Sequence, residues 1–252
     1  MLSMKLSVRN TSAFDGSRRR GLGILCALGL GMLWFPVAAL AGSYDDYFKA
    51  VQLDDPAVVT ALLRRGLDPN MIEEARGDTG MILALREGSM NVFAVLLNAA
   101  DTKLEAQARN GDTALMVAAY KRNKRAVEAL LAKDAEVNKP GWTALHYAAA
   151  IGDNEIVQLL LDKSAYIDAD SPNKTTPIML AARGGHIRTV KLLLDEGADA
   201  TLKNDQGLTA IDFARKYDFH DIVEGLTYRL KKAGQAVPPE KPRERFSPGS
   251  ND

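Results

Sequence analysis

Between residues 56 and 230 the apolar positions fall in short bursts, alternately rich in alanine and in leucine. Leucine pairs recur at Leu62-Leu63, Leu96-Leu97, Leu130-Leu131, Leu160-Leu161 and Leu193-Leu194. Alanine pairs precede three of them, at Ala118-Ala119, Ala148-Ala149 and Ala181-Ala182. Each burst supports a helix of about two turns, too short to persist alone in water. The leucines give the second helix of each pair one apolar stripe. The alanines let the first helix approach its neighbours closely. A threonine opens each alanine burst, at Thr79, Thr113, Thr143, Thr176 and Thr209, as an N-cap should. The intervals between these threonines are 34, 30, 33 and 33 residues.

Such a period predicts helix pairs that bury their stripes only by stacking on one another. Asp54-Asp55-Pro56 reads as a helix start, with a carboxylate cap and proline in the first turn. Gly66 and Gly197 stand just past second helices, where a left-handed cap favours glycine. Asp134 and Ser164 hold that place in two units, at a cost of about 1 kcal/mol if the geometry is kept.

The tetrapeptides Thr143-Ala144-Leu145-His146 and Thr176-Pro177-Ile178-Met179, with Gly185-His186 and Gly197-Ala198-Asp199, resemble the ankyrin-repeat family. The resemblance implies an all-α solenoid of about six helix-turn-helix units joined by β-hairpin turns, covering residues 44–233. Units three to five match strongly. Units one, two and six are degenerate, as capping repeats should be.

The N-terminal 41 residues follow another pattern. Arg18-Arg19-Arg20 precedes an uncharged run from Gly21 to Ala41, broken by Pro36 and ending in Ala39-Leu40-Ala41. Basic region, apolar core and small-residue site describe a secretory signal peptide over 1–41. An uncleaved inner-membrane anchor is the alternative, since the run could just span a bilayer. Leu25 before Cys26 argues against a lipoprotein, and the twin-arginine export pattern is only partly matched.

The whole chain balances 32 basic against 32 acidic residues. Removing 1–41 takes Lys5, Arg9, Arg18, Arg19, Arg20 and Asp15, leaving 27 basic and 31 acidic residues, a net charge of −4. A mildly acidic domain is a poor general nucleic-acid binder, so no nucleic-acid partner is expected. Cys26 is the chain's one cysteine, so the mature chain holds none, which excludes disulfides and thiolate zinc sites. At the other end, residues 234–252 interleave Pro238, Pro239, Pro242 and Pro248 with charges. This segment reads as a disordered tail.

No spacing points to catalysis, a cofactor or a metal. His146 closes a T-x-L-H turn, and the resemblance gives it a hydrogen bond between neighbouring units. His186 and His220 lie in other units and do not converge with it. The acids on hairpins and helix ends read as caps. No P-loop sequence is present.

The informative positions are those the repeat leaves free. By the resemblance, the hairpin tips and the exposed side of each first helix line a concave binding face. The residues before the threonines are Asp78, Asp112, Trp142, Thr175 and Leu208. Those after the T-x-L-H element are Leu83, Val117, Tyr147, Leu180 and Phe213. Trp142, Tyr147, Tyr120, Lys121, Ile151, Arg183 and Tyr217 are the candidate partner-binding residues. Phe213 could join this aromatic strip or pack in the core. Tyr, Trp and Arg dominate interface hot spots. The 30-residue interval places a three-residue deletion in Asn138-Lys139-Pro140-Gly141, so one hairpin is truncated beside Trp142. Lys121, Arg122, Lys124 and Arg125 adjoin it; such a run reads first as a solvated turn, and as the alternative would attract an acidic partner.

The expectation is a non-catalytic protein-interaction module, read as a monomer, in the bacterial periplasm. It resembles exported bacterial ankyrin proteins, some associated with protection against peroxide. The alternative is a secreted inhibitor or effector that binds an enzyme or host protein.

Overall fold

A computed structural model describes residues 37–239, with side chains from residue 42 onward. Residues 1–36, which carry most of the signal-peptide reading, and 240–252, most of the tail, lie outside the described residues.

Among the described residues, twelve helices pair into six units. Unit one holds α1 (Val37–Gln52) and α2 (Pro56–Arg64); unit two, α3 (Gly80–Glu87) and α4 (Met90–Leu97). Unit three holds α5 (Ala114–Tyr120) and α6 (Lys124–Leu131); unit four, α7 (Ala144–Ile151) and α8 (Asn154–Asp162). Unit five holds α9 (Pro177–Arg183) and α10 (Ile187–Asp195); unit six, α11 (Ala210–Lys216) and α12 (His220–Lys232). The inner helices are seven to nine residues long, whereas the outermost, α1 and α12, have 16 and 13. First helices stack on first helices and second on second, and one apolar core runs through all six units.

The threonines do as their spacing predicts. Thr79, Thr113, Thr143 and Thr209 accept a hydrogen bond from the amide three residues on, at 3.3–3.4 Å. In units three to six the residue at that third position returns the contact through a sulfur, an imidazole or a carboxylate. Met116 Sδ accepts from the Thr113 amide at 3.3 Å, His146 Nδ1 from Thr143 at 3.1 Å, and Asp212 from Thr209 at 3.0 Å. Thr176, ahead of Pro177, differs: its hydroxyl is buried with no hydrogen-bond partner.

The Asp55 carboxylate caps α2 through the amides of Ala57 and Val58. Asp54 turns away, with φ +53°, and caps α4 of the next unit through the amide of Val92 at 2.9 Å. Asp134 and Ser164 take the left-handed turn at φ +61° and +62°. Gly80 explains why unit two departs from the pattern. A Cβ there would meet the Tyr47 hydroxyl at 2.0 Å, so only glycine admits the Tyr47 ring, which is wholly buried.

No strands form among the described residues; one isolated bridge joins Ile72 and Thr79. The connecting fingers are tight turns. In four of them a backbone bond closes the base, from Glu73 to Asp78, Ala108 to Asp112, Ser171 to Thr175 and Asn204 to Leu208. Neighbouring loops are joined by polar side chains: Asn70 accepts from the Lys103 amide, Asn138 from Tyr166 and Asp168 from Asp199.

At the C-terminus, Gly234 takes the left-handed turn and the chain folds back. Val237 packs on the core, and the Arg215 guanidinium donates to the carbonyls of Pro238 and Pro239. The tail's first six residues, 234–239, therefore follow the last unit.

Candidate functional site

Units two, three and four meet at a buried ion network that starts from two acids placed just before their threonines. Asp78 is 0% exposed, and its Oδ2 lies 2.9 Å from Arg86 Nε. The two atoms are close but poorly aligned for a hydrogen bond, so this contact is chiefly coulombic, and Asp78 Oδ1 is buried without a partner. Arg86 Nη2 donates to Asp112 Oδ2 at 3.1 Å, as does Asn110 at 2.7 Å. Burial opposes the charge on Arg86, but Asp78 and Asp112 together more than offset it and hold the guanidinium above its ordinary pKa. Asp78 and Asp112 stand at the positions before the threonines that the repeat leaves free for binding; they are instead the anionic ends of this bridge, because α3 carries Arg86 in its last turn.

The network reaches the surface through unit four. Tyr147 on α7 donates its hydroxyl to Asp112 Oδ1 at 2.5 Å, one unit back. Burial and the Asp112 carboxylate push the phenol's pKa up, so it stays a donor. The Tyr120 ring, 53% exposed, meets Tyr147 edge-on at 5.9 Å. The equivalents of Tyr147 in the other units, Leu83, Val117, Leu180 and Phe213, are all buried core residues. Phe213 therefore does not join the surface strip. Tyr147 differs because a half-buried phenol has a carboxylate to bond.

The truncated finger lies beside this pair. It has no base-closing backbone bond like the other four. Instead Lys139 extends its Nζ to the Gly111 carbonyl at 3.1 Å, bridging back to the finger of unit three. Trp142 is half-buried and packs edge-on against His146 at 5.3 Å. Of the basic run, Arg122 donates to the Ile151 carbonyl and Lys124 pairs with Glu155 at 3.0 Å. Both bind unit three to unit four rather than standing free.

Lys121, Arg183 and Tyr217 are exposed and Ile151 is half-buried. They sit at or just past the ends of first helices, and no ring contact joins them to the Tyr120–Tyr147 pair. Arg86 was absent from the expected site. The signal for it was present: two acids at one repeat position, due for burial by periodicity, require a cation between them.

The histidines are structural. His146 Nε2 donates to the Thr175 carbonyl at 2.9 Å while Nδ1 accepts, and burial lowers its pKa to about 4. His186 bonds the Ala150 carbonyl at 3.0 Å. His220 is exposed at the start of α12. Among the described residues no group of three or more His, Cys, Asp or Glu could hold a metal, and no helix is long and apolar enough to cross a membrane.

A solenoid of helix pairs with finger turns, presenting tethered aromatics along one face, defines a class of repeat protein. The model for ankyrin repeats in three copies matches residues 48–140, 95–171, 123–204 and 145–234, and the chain belongs to the ankyrin-repeat family. Human SH3 and multiple ankyrin repeat domains protein 2 is 33% identical over 176 residues, covering 68% of this chain and 10% of that protein. The mouse B-cell lymphoma 3 protein homolog is 30% identical over 190 residues, covering 73% of this chain and 42% of its own length. The crystal structure of the Bcl-3 ankyrin repeat domain, from a member of the IkappaB protein family, superposes with a TM-score of 0.60 at 30% identity. It covers 71% of this chain and 81% of that one. The chain spans 10–15% of the length of the first relatives it matches, the human channel subunit named transient receptor potential cation channel subfamily A member 1 among them. What they share with it is the repeat stack.

Proposed function

We propose that the chain is a non-catalytic protein-binding module whose contact face is centred on units three to five. Ankyrin repeats mediate protein–protein interaction, and their stacked inner helices and fingers offer one continuous surface. The observation that carries the reading is the Tyr120–Tyr147 pair, fixed from below by Asp112 and flanked by a shortened finger. A rigid aromatic held by a buried bond loses little entropy on binding, which is the property of an interface anchor. Tyr120→Ala combined with Trp142→Ala should abolish partner capture, since truncating such anchors commonly costs about 2 kcal/mol or more of affinity. The Tyr120 change should leave helical content intact. Undiminished capture by the double variant, with the fold retained, places the interface elsewhere.

The basic region, apolar run and Ala39-Leu40-Ala41 support export to the periplasm with cleavage after Ala41. Tyr44, Tyr47, Phe48 and Val51 of α1 pack on the core, so a chain beginning at Gly42 keeps those anchors. N-terminal sequencing of the periplasmic protein should start at Gly42; full-length chain recovered in the inner membrane establishes an anchored form. The resemblance to exported ankyrin proteins links this place to oxidative-stress defence, with a protein partner doing the chemistry.

A further inference from the structure

The first helices end in a row of charges with a marked asymmetry. The acids that reach this side are already paired. Asp78 meets Arg86, Asp112 is shared by Arg86, Asn110 and Tyr147, and Asp212 bonds Thr209 and lies 3.6 Å from Arg215. Glu87, at the end of α3, lies 3.5 Å from Arg76. The cations at the later helix ends are different. Lys121 caps α5, Arg183 ends α9 and Lys216 ends α11, and all three are exposed with no ion pair among the described residues. Basic residues at helix C-termini suit the helix dipole. That explains their sign, but not why no counter-ion faces any of them. Unit four interrupts the row with an apolar step: Ile151 ends α7 and Gly152 caps it, beside the Tyr120–Tyr147 pair.

The proposed binding role leaves open what the face selects, and the row answers it. We infer that these three cations and the tyrosine pair receive one extended acidic segment of a partner protein, with an apolar residue between its first two acids. This rests on the reading of the face as a binding surface and names its ligand. The spacing follows from the stack. Neighbouring helices pack about 10 Å apart, so Lys121 and Arg183, two units apart, are separated by about 20 Å, and Lys216 is about 10 Å further on. An extended chain advances about 3.3 Å per residue. It therefore sets an acid opposite Lys121, an apolar residue three positions on over Tyr120, Tyr147 and Ile151, and acids after three and six more. Four contacts at a three-residue interval follow the repeat, and the apolar one falls where the first helix itself ends in Ile151 rather than in a basic residue.

The test uses the full-length protein and a labelled ten-residue peptide. The peptide carries glutamate at its first, seventh and tenth residues, leucine at its fourth, and glycine or serine elsewhere. Fluorescence anisotropy at about 0.01 M ionic strength, where charges act over about 30 Å, should show saturable binding that weakens as salt is raised. Lys121→Glu, Arg183→Glu and Lys216→Glu should each weaken it about fivefold, and together remove it. A peptide of the same composition with its three glutamates contiguous should bind at least tenfold more weakly. Equal affinity for the rearranged peptide, no effect of the triple reversal, or tighter binding to a single-stranded oligonucleotide of similar length overturns the inference. A native partner lost by the Tyr120/Trp142 variant, yet held by the triple reversal at any salt, refutes the acidic ligand and leaves the binding face standing. A partner retained by both refutes the face itself.

Discussion

The junctions on either side of unit four are built from different chemistry. Between units two, three and four the links include ions: Asp78, Arg86 and Asp112, extended by Tyr147 and by Lys124 with Glu155. Between units four and five they are neutral. His146 bonds the Thr175 carbonyl, His186 the Ala150 carbonyl, and Thr189 donates to Asn154 at 2.7 Å. Both solutions pair polar groups between stacked helices, although the ionic one leaves Asp78 Oδ1 buried without a hydrogen-bond partner. They differ in what they deliver to the surface. The ionic junction ends in a phenol that holds an aromatic pair at the face, whereas the neutral one ends in backbone carbonyls. A repeat fold thus fixes where units touch, and leaves the chemistry of the touch free to vary.

The comparison breaks most severely if the cation is removed. Arg86→Leu leaves Asp78 and Asp112 buried with little compensation, and losing one member of such a network costs about 3–5 kcal/mol. Denaturant melts should show that loss. A change under about 0.5 kcal/mol, typical of a surface substitution, means that water supports the carboxylates and that the network is not needed for stability. The apolar core provides the reference. Leu160 and Leu193 are both 0% exposed on the second helices, so Leu160→Ala and Leu193→Ala should each cost about 2–5 kcal/mol. Either variant melting like the wild type contradicts the packing of α8 and α10.

Acid should affect the neutral junction through one residue. His146 has its pKa lowered to about 4, against about 6.5 for an exposed imidazole. Between these values the unfolded chain binds a proton that the folded chain does not, so this contribution is complete above pH 6.5. It is lost as pH falls from there toward 4, by about 3 kcal/mol in all. Urea melts at pH 7.5, 5.5 and 4.5 measure the slope. Met116 and Met179 occupy the same repeat position, so His146→Met should flatten the profile in that window. A slope that survives the substitution belongs to other groups.

The sequence made the architecture legible because it is periodic. Threonine caps, leucine stripes and left-handed turns at Asp134 and Ser164 each follow from a local rule repeated every 33 residues or so. The missing finger was legible for the same reason, as a shortened interval. Departures whose cause lies in another unit were not. Gly80 is explained by Tyr47, 33 positions earlier, and the pairing of Asp112 by Arg86 of the preceding unit. Of the candidate surface residues, Tyr120 and Tyr147 are brought together, whereas Trp142 turns to His146 and Arg183 and Tyr217 stand apart. Periodicity assigns a residue to a face. Which neighbour it touches there depends on side chains that the repeat does not constrain.

The smallest expected effect sharpens the comparison further, because it converts one junction's chemistry toward the other's. Tyr147→Phe keeps the ring and removes the one hydroxyl that joins unit four to Asp112. Phenylalanine is already the residue at the equivalent position of unit six, where Phe213 is core. Hydrogen bonds to charged groups contribute about 1.5–3 kcal/mol, and here Asp112 retains Arg86 and Asn110 as donors. The net loss should therefore fall near the lower figure, at about 1.5 kcal/mol. The more telling readout is positional. If the bond to Asp112 fixes the Tyr147 ring, its loss should free Tyr120 as well, and affinity for a partner should fall while the stack stays folded. Tyr120→Ala made in the Tyr147→Phe background then adds less to that loss than it does in the wild type, because the two changes disable the same anchor. Additive losses mean that each tyrosine contacts the partner alone, and that the buried network stops at stability without shaping the face.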